Sequence, residues 1–153
     1  MDKKKKEGRY QRVYAQLEKL MMTCEDKEAR KATMIAVVHH KMDYFFWTGF
    51  YMLQDDRLIV TKYQGPVACM ELKKDTGVCW ASINKKESLI VPDVHQFPGH
   101  IGCDSRSKSE IVIPIKDKNE KMIGVLDVDS KSLNSFDEID RRYLEKILKL
   151  VDS

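Results

Sequence analysis

Two short polar turns, Gln54-Asp55-Asp56-Arg57 and Asp117-Lys118-Asn119-Glu120, each separate a pair of apolar, β-favouring runs, and nothing else constrains the fold of this chain as strongly. The first turn joins Phe45–Leu53, dense in aromatic residues, to Leu58–Tyr63. The second joins Ile111–Lys116 to Met122–Val128. Aromatic and β-branched side chains suit a pleated, half-buried surface, so each pair predicts an antiparallel hairpin. Ser88–Val91 adds a brief strand. Helical periodicity is confined to the flanks. Tyr10, Val13, Tyr14, Leu17, Leu20 and Met21 recur at steps of three and four, the stripe of an amphipathic helix. A second helix is expected from about Asp26 to His39, with Thr23 and Asp26 as its start signal and His39 and His40 as cations at the negative end of its dipole. The last helix is expected to start at Ser135, with Glu138 at capping-box spacing, and to bury Ile139, Tyr143, Leu144, Ile147, Leu148 and Val151. Hairpins between terminal helices predict an α+β domain, a single antiparallel sheet with the N- and C-terminal helices packed on one face.

The 153-residue length fits one domain. Residues 1–8 read as a basic flexible tail and 9–153 as the folded unit. The net charge of +3 owes its sign to the run Lys3-Lys4-Lys5-Lys6; the remainder is close to neutral, which argues against a nucleic-acid surface. No apolar stretch has the length of a membrane span, and Met1 leads into lysines without the apolar core of a secretory signal. A cytoplasmic location is the expectation. In that reducing compartment Cys24, Cys69, Cys79 and Cys103 rest as thiols, so a cysteine pair points to catalysis, redox chemistry or metal binding before it points to a structural staple.

Chemistry concentrates between Asp93 and Ser107, a long irregular connection of the kind that carries function in compact domains. Gly99 and Gly102 let backbone approach a ligand closely around Cys103, and Glu110 follows at the mouth of the next strand. Cys69 and Cys79 lie in other segments, Cys79 in the first turn of a short helix expected over Gly77–Ile83, where the dipole lowers a thiol pKa. A thiol that takes oxygen from an oxidised substrate becomes a sulfenic acid, which a second thiol resolves as a disulfide. Asp127 and Asp129 alternate on the strand Ile123–Asp129, so both carboxylates point to one face. If Glu110 shares that face, repulsion and burial keep at least one of the three protonated, ready to supply the proton that a departing oxygen needs. His95, His100 and Cys103, with Cys69 or Cys79 as fourth ligand, have spacings a zinc site could use. Ordinary loop hydrogen bonding accounts for both histidines as well, and no metal is expected.

Taken together, Trp47-Thr48-Gly49-Phe50-Tyr51, Gln64-Gly65-Pro66-Val67-Ala68-Cys69, Gly77-Val78-Cys79, Asp93-Val94-His95-Gln96-Phe97-Pro98-Gly99-His100-Ile101-Gly102-Cys103-Asp104, Ser107-Lys108-Ser109-Glu110-Ile111-Val112 and Gly124-Val125-Leu126-Asp127-Val128-Asp129-Ser130 resemble the free methionine-(R)-sulfoxide reductases, which are GAF-domain enzymes. The resemblance implies a GAF-like fold and reduction of free L-methionine-(R)-sulfoxide to L-methionine. It implies Cys103 as nucleophile, Cys69 as the main resolving thiol and Cys79 as an auxiliary or additional resolving thiol. Glu110, Asp127 and Asp129 match the carboxylates that hold and polarise the sulfoxide. Trp47 and Tyr51 match an aromatic wall against the S-methyl group. It further implies recycling by thioredoxin with no bound cofactor, and a homodimer for which the N-terminal helices offer apolar surface. The chain departs from the family pattern at Trp80, where a glycine is usual and where the indole would reshape the approach of Cys79, and at Thr61-Lys62-Tyr63. The rival reading is a non-catalytic GAF module that senses a small molecule without turning it over.

Overall fold

Both expected hairpins form, and they meet edge to edge at the centre of the sheet. The structure, a computed structural model, describes residues 1–100 and 102–153; Ile101, part of the Phe97–Asp104 motif, lies outside the described residues. Strands β1 (Trp47–Gln54), β2 (Arg57–Gln64), β3 (Glu71–Leu72), β4 (Leu89–Val91), β5 (Ser109–Lys116) and β6 (Met122–Ser130) make one sheet in the order β3-β2-β1-β6-β5-β4, every pair antiparallel. Asp55 and Asp56 turn the first hairpin with φ of 51° and 63°. A tight two-residue turn needs that left-handed pair, and aspartate tolerates it better than most residues.

Side-chain alternation divides the sheet into two faces. Ile111 and Ile113 of β5, Leu126 and Val128 of β6 and Phe50 of β1 face helices α1 (Lys3–Met21), α2 (Lys27–Lys41) and α4 (Glu138–Asp152). The terminal helices thus share one face, as expected. Helix α3 (Gly77–Lys85) covers the other, where Trp47, Tyr51, Val112 and Val125 pack with Val78, Trp80 and Ile83. None of the helices among the described residues is long and apolar enough to cross a membrane.

Three local expectations are corrected by side-chain contacts. The lysine run is no flexible tail: α1 begins at Lys3, with Asp2 accepting a hydrogen bond from the Lys5 amide at 2.9 Å. Lys6 is 5% exposed, its Nζ 2.7 Å from Oδ2 of the fully buried Asp140. Asp140 also accepts from the hydroxyls of Tyr10, at 2.6 Å, and Tyr44, so one carboxylate ties α1 and the segment before β1 to α4. Second, α4 is capped by Asp137, in a capping box with Asp140, and not by Ser135 with Glu138. The Ser135 hydroxyl instead lies 2.7 Å from that of Ser130. Third, His39 is no end-of-helix cation. Its Nδ1 lies 2.8 Å from Thr48 Oγ1, and burial, aided by His40, holds its pKa below the usual value. The stripe of α1, expected to offer apolar surface to a second copy, is buried within the chain, with Tyr10, Val13, Leu17 and Met21 at most 3% exposed.

Candidate functional site

On the α3 face the sheet opens into a cavity of about 220 Å³. Strand register builds its floor. Glu110 on β5 pairs with Asp129 on β6, and Val112 pairs with Asp127, so all three carboxyls project from the same face. Glu110 and Asp127 are each 6% exposed and Asp129 is half-buried. Cys79, in the first turn of α3, completes the floor: its sulfur and one oxygen each from Glu110 and Asp127 lie within 4.8 Å of one another.

Burial dominates the acidity of this group. It raises the pKa of Glu110 well above the ordinary carboxyl range, with the charges of Asp127 and Asp129 adding to the effect. Asp129 is raised in the same way by burial and then by Asp127. Asp127 is raised by burial, but hydrogen bonds from Glu110, Cys79 and Asp129 pull it back. Burial therefore favours the neutral form most strongly at Glu110 and Asp129 and less at Asp127. Among the described residues, Asp127 Oδ1 is buried without a hydrogen-bond partner. The Cys79 thiol is pushed well up, by burial first and the carboxylates next, which corrects the expectation that the helix dipole lowers it. Placement in the first turn of a short helix cannot offset desolvation beside three acids.

Cys69 and Cys103 are joined in a disulfide on the cavity wall, their Cα atoms 5.5 Å apart across 34 positions of sequence. Cys103 is exposed and Cys69 half-buried. The Tyr51 hydroxyl donates to the Cys69 carbonyl at 2.9 Å. On the other side Asp104 accepts from the Arg106 backbone at 2.9 Å and from its guanidinium at 3.0 and 2.7 Å, which folds the chain back directly after Cys103. Hydrogen bonds from Arg106 hold the Asp104 pKa at about 2. Arg106 in turn lies 4.9 Å above the Phe46 ring.

Trp47 and Tyr51 alternate on β1, line the cavity and stack with ring centroids 5.7 Å apart. Tyr63, one of the residues where the chain departs from the family pattern, stacks on Trp47 at 5.3 Å. Gly49 makes that sandwich possible, because a Cβ there would stand 2.4 Å from Tyr63 Cβ and 2.6 Å from the Trp47 ring. Among the described residues, the buried Trp47 Nε1 has no hydrogen-bond partner. Trp80 does not reshape this site: its indole N–H donates to the Leu72 carbonyl at 3.4 Å, and it lies outside the cavity lining.

All eight sequence-predicted site residues thus gather at one cavity: Trp47, Tyr51, Cys69, Cys79, Cys103, Glu110, Asp127 and Asp129. The histidine set considered for zinc does not assemble in this way. The Cys103 sulfur is bonded to Cys69, and the His95 and His100 rings meet edge to face with centroids 6.4 Å apart. Cys79, Glu110 and Asp127 could present three ligand atoms to a cation, but only by ionising groups that burial holds protonated. Phe46, Asp104 and Ser107 also line the cavity, and sequence reasoning missed them as site residues; His100, considered there only as a metal ligand, lines it too. The position of Asp104 next to Cys103 was a usable signal; nothing local marked Ser107.

The GAF domain family matches residues 36–152. The chain is 46% identical to GAF domain-containing protein A of Dictyostelium discoideum, across 100% of this chain and 96% of that protein. To the free methionine-R-sulfoxide reductase of Escherichia coli it is 37% identical, over 81% of this chain and 79% of that enzyme. The X-ray structure of free methionine-R-sulfoxide reductase from Neisseria meningitidis in complex with its substrate superposes with a TM-score of 0.87 at 37% identity, covering 94% of this chain and 86% of that one.

Proposed function

The chain belongs to the GAF-domain family of free methionine-R-sulfoxide reductases, and from that premise we propose that its cavity reduces free L-methionine-(R)-sulfoxide to L-methionine. The observation that carries the reading is a disulfide between Cys69 and Cys103 on the wall of a small cavity floored by protonated carboxyls. In this reading the Cys69–Cys103 disulfide is the oxidised end of the cycle.

After reduction, the Cys103 thiolate attacks the sulfoxide sulfur. Oxygen transfers from that sulfur to Cys103 while a neutral carboxyl, Glu110 or Asp129, protonates it. The products are methionine and a Cys103 sulfenic acid. The Cys69 thiol then attacks the Cys103 sulfur, its proton leaves with the hydroxyl as water, and the disulfide closes. An external dithiol, thioredoxin, returns two electrons. Trp47 and Tyr51 form the wall against the S-methyl group. Cys79 acts as an auxiliary thiol, its sulfur within 4.8 Å of one oxygen each of Glu110 and Asp127. A cavity of about 220 Å³ fits a free amino acid better than a residue within a peptide.

The test supplies dithiothreitol and compares R and S epimers, free and peptide-bound. The expected result is turnover of the free R epimer alone, abolished in Cys103→Ser. Equal turnover of both epimers, or full activity of Cys103→Ser, overturns the reading. Binding of the sulfoxide with no loss of thiols would instead identify a sensor.

A further inference from the structure

Two of the three most exposed large apolar side chains among the described residues bracket one cysteine of the disulfide. Val67 is 83% exposed and Met70 78%, on either side of the half-buried Cys69. Their exposure is not the result of a loose loop. Gly65, with φ of 123°, packs so tightly against β1 that a Cβ would meet the Phe46 carbonyl at 2.7 Å. At the other end the Met70 carbonyl accepts from the Val60 amide at 2.9 Å, and between them the Tyr51 hydroxyl holds the Cys69 carbonyl. A backbone pinned at three points thus presents two apolar side chains to solvent beside a bond that must be reduced in every cycle. Neither side chain belongs to the core; Val67 stands at the cavity lining, whereas Met70 lies outside both core and cavity, so neither the chain's packing nor its site accounts for Met70. Solvent-exposed apolar residues beside a reactive group mark a surface that a partner covers.

Resting on the reductase reading, we propose that Val67 and Met70 form the docking surface for a protein dithiol reductant, which seats on the loop Pro66–Met70 to reach the Cys69–Cys103 bond. A small thiol needs no such surface. The exchange balances in two steps. A partner thiolate attacks one sulfur of the bond, and the other sulfur leaves as a thiolate; the partner's second thiol then attacks the mixed disulfide and frees the remaining cysteine. Two electrons pass from the dithiol to the chain. Charge selects the partner further. Glu71 is paired with Arg57 and Lys74 with Asp56, whereas Lys73 forms no ion pair among the described residues, which favours a partner with an acidic group beside its thiols.

The experiment measures turnover of free methionine-(R)-sulfoxide with two electron donors, dithiothreitol and thioredoxin recycled by its reductase and NADPH. Met70→Ser is expected to keep dithiothreitol-driven turnover and to raise the KM for thioredoxin about fivefold or more. Met70→Leu restores it. For Val67→Ser, which alters the cavity lining as well, the readout is the ratio of thioredoxin-driven to dithiothreitol-driven activity, which falls. An unchanged KM for thioredoxin in Met70→Ser, or an equal fall with both donors, overturns the docking surface while leaving the reductase intact. Wild-type turnover with dithiothreitol but none with thioredoxin rejects the partner class. No turnover with either donor removes the reductase reading and this proposal with it.

Discussion

Glu110→Gln separates the acid chemistry of the site from its packing, because glutamine keeps the shape and the hydrogen-bonding donors of a protonated glutamate and cannot ionise. Glu110 is 6% exposed and held protonated by burial and by Asp127 and Asp129. In the unfolded chain the same group ionises near pH 4. Between that pH and its raised folded value, the native state binds a proton that the unfolded state has released. Stability therefore falls as pH rises through that window, by about 1.4 kcal/mol per pH unit for each such proton. Glu110→Gln removes one of them, so relative to wild type the variant should gain stability as pH rises from 5, up to about 2.6 kcal/mol by pH 7 where the folded group keeps its proton throughout. His39 and His100, kept neutral by burial, tilt the profile the other way, since their unfolded forms bind the extra proton. They are common to both proteins, and the difference cancels them. Urea denaturation of the oxidised protein, followed by the fluorescence of buried Trp47 and Trp80, gives the two profiles. In the same variant, turnover should drop on the order of a hundredfold or more, the contribution of a positioned general acid. Parallel stability profiles, or wild-type turnover, would show that Glu110 ionises like an ordinary surface carboxyl and would refute the reasoning.

Two further perturbations test the scaffold. Reducing the Cys69–Cys103 bond opens a loop closed across 34 positions and should lower stability by about 4 kcal/mol on the chain-entropy account, read as a shift in urea midpoint with and without dithiothreitol. Asp140→Ala leaves the Lys6 ammonium buried without its partner and strips the acceptor from Tyr10 and Tyr44. It should cost about 3–5 kcal/mol by the same measurement, and a loss below about 1 kcal/mol would show that Lys6 escapes to solvent.

Legibility followed the range of the interaction. The hairpins and the stripes of α1 and α4 are written in local periodicity, and the sheet obeyed it because both of its faces are covered. The carboxyl trio was readable in half: Asp127 and Asp129 share a face by alternation, but only the register of β5 on β6 brings Glu110 to them. Lys6 looked like solvated tail because its partner is 134 positions away. The Cys79 acidity was misjudged for the same reason, since a helix turn is local while the acids beneath it come from strands 31 to 50 positions further along the chain. Spacing alone did not say which cysteines pair. That expectation came from the resemblance to a family, and the Cys69–Cys103 bond agrees with it.

The most direct test of the account is one turnover of the fully reduced protein with one equivalent of free methionine-(R)-sulfoxide, followed by peptide mapping without reductant. The account predicts one methionine formed for each disulfide, with that disulfide joining Cys69 to Cys103. Unchanged sulfoxide, or a bond formed through Cys79 or Cys24 in place of that pair, would contradict it.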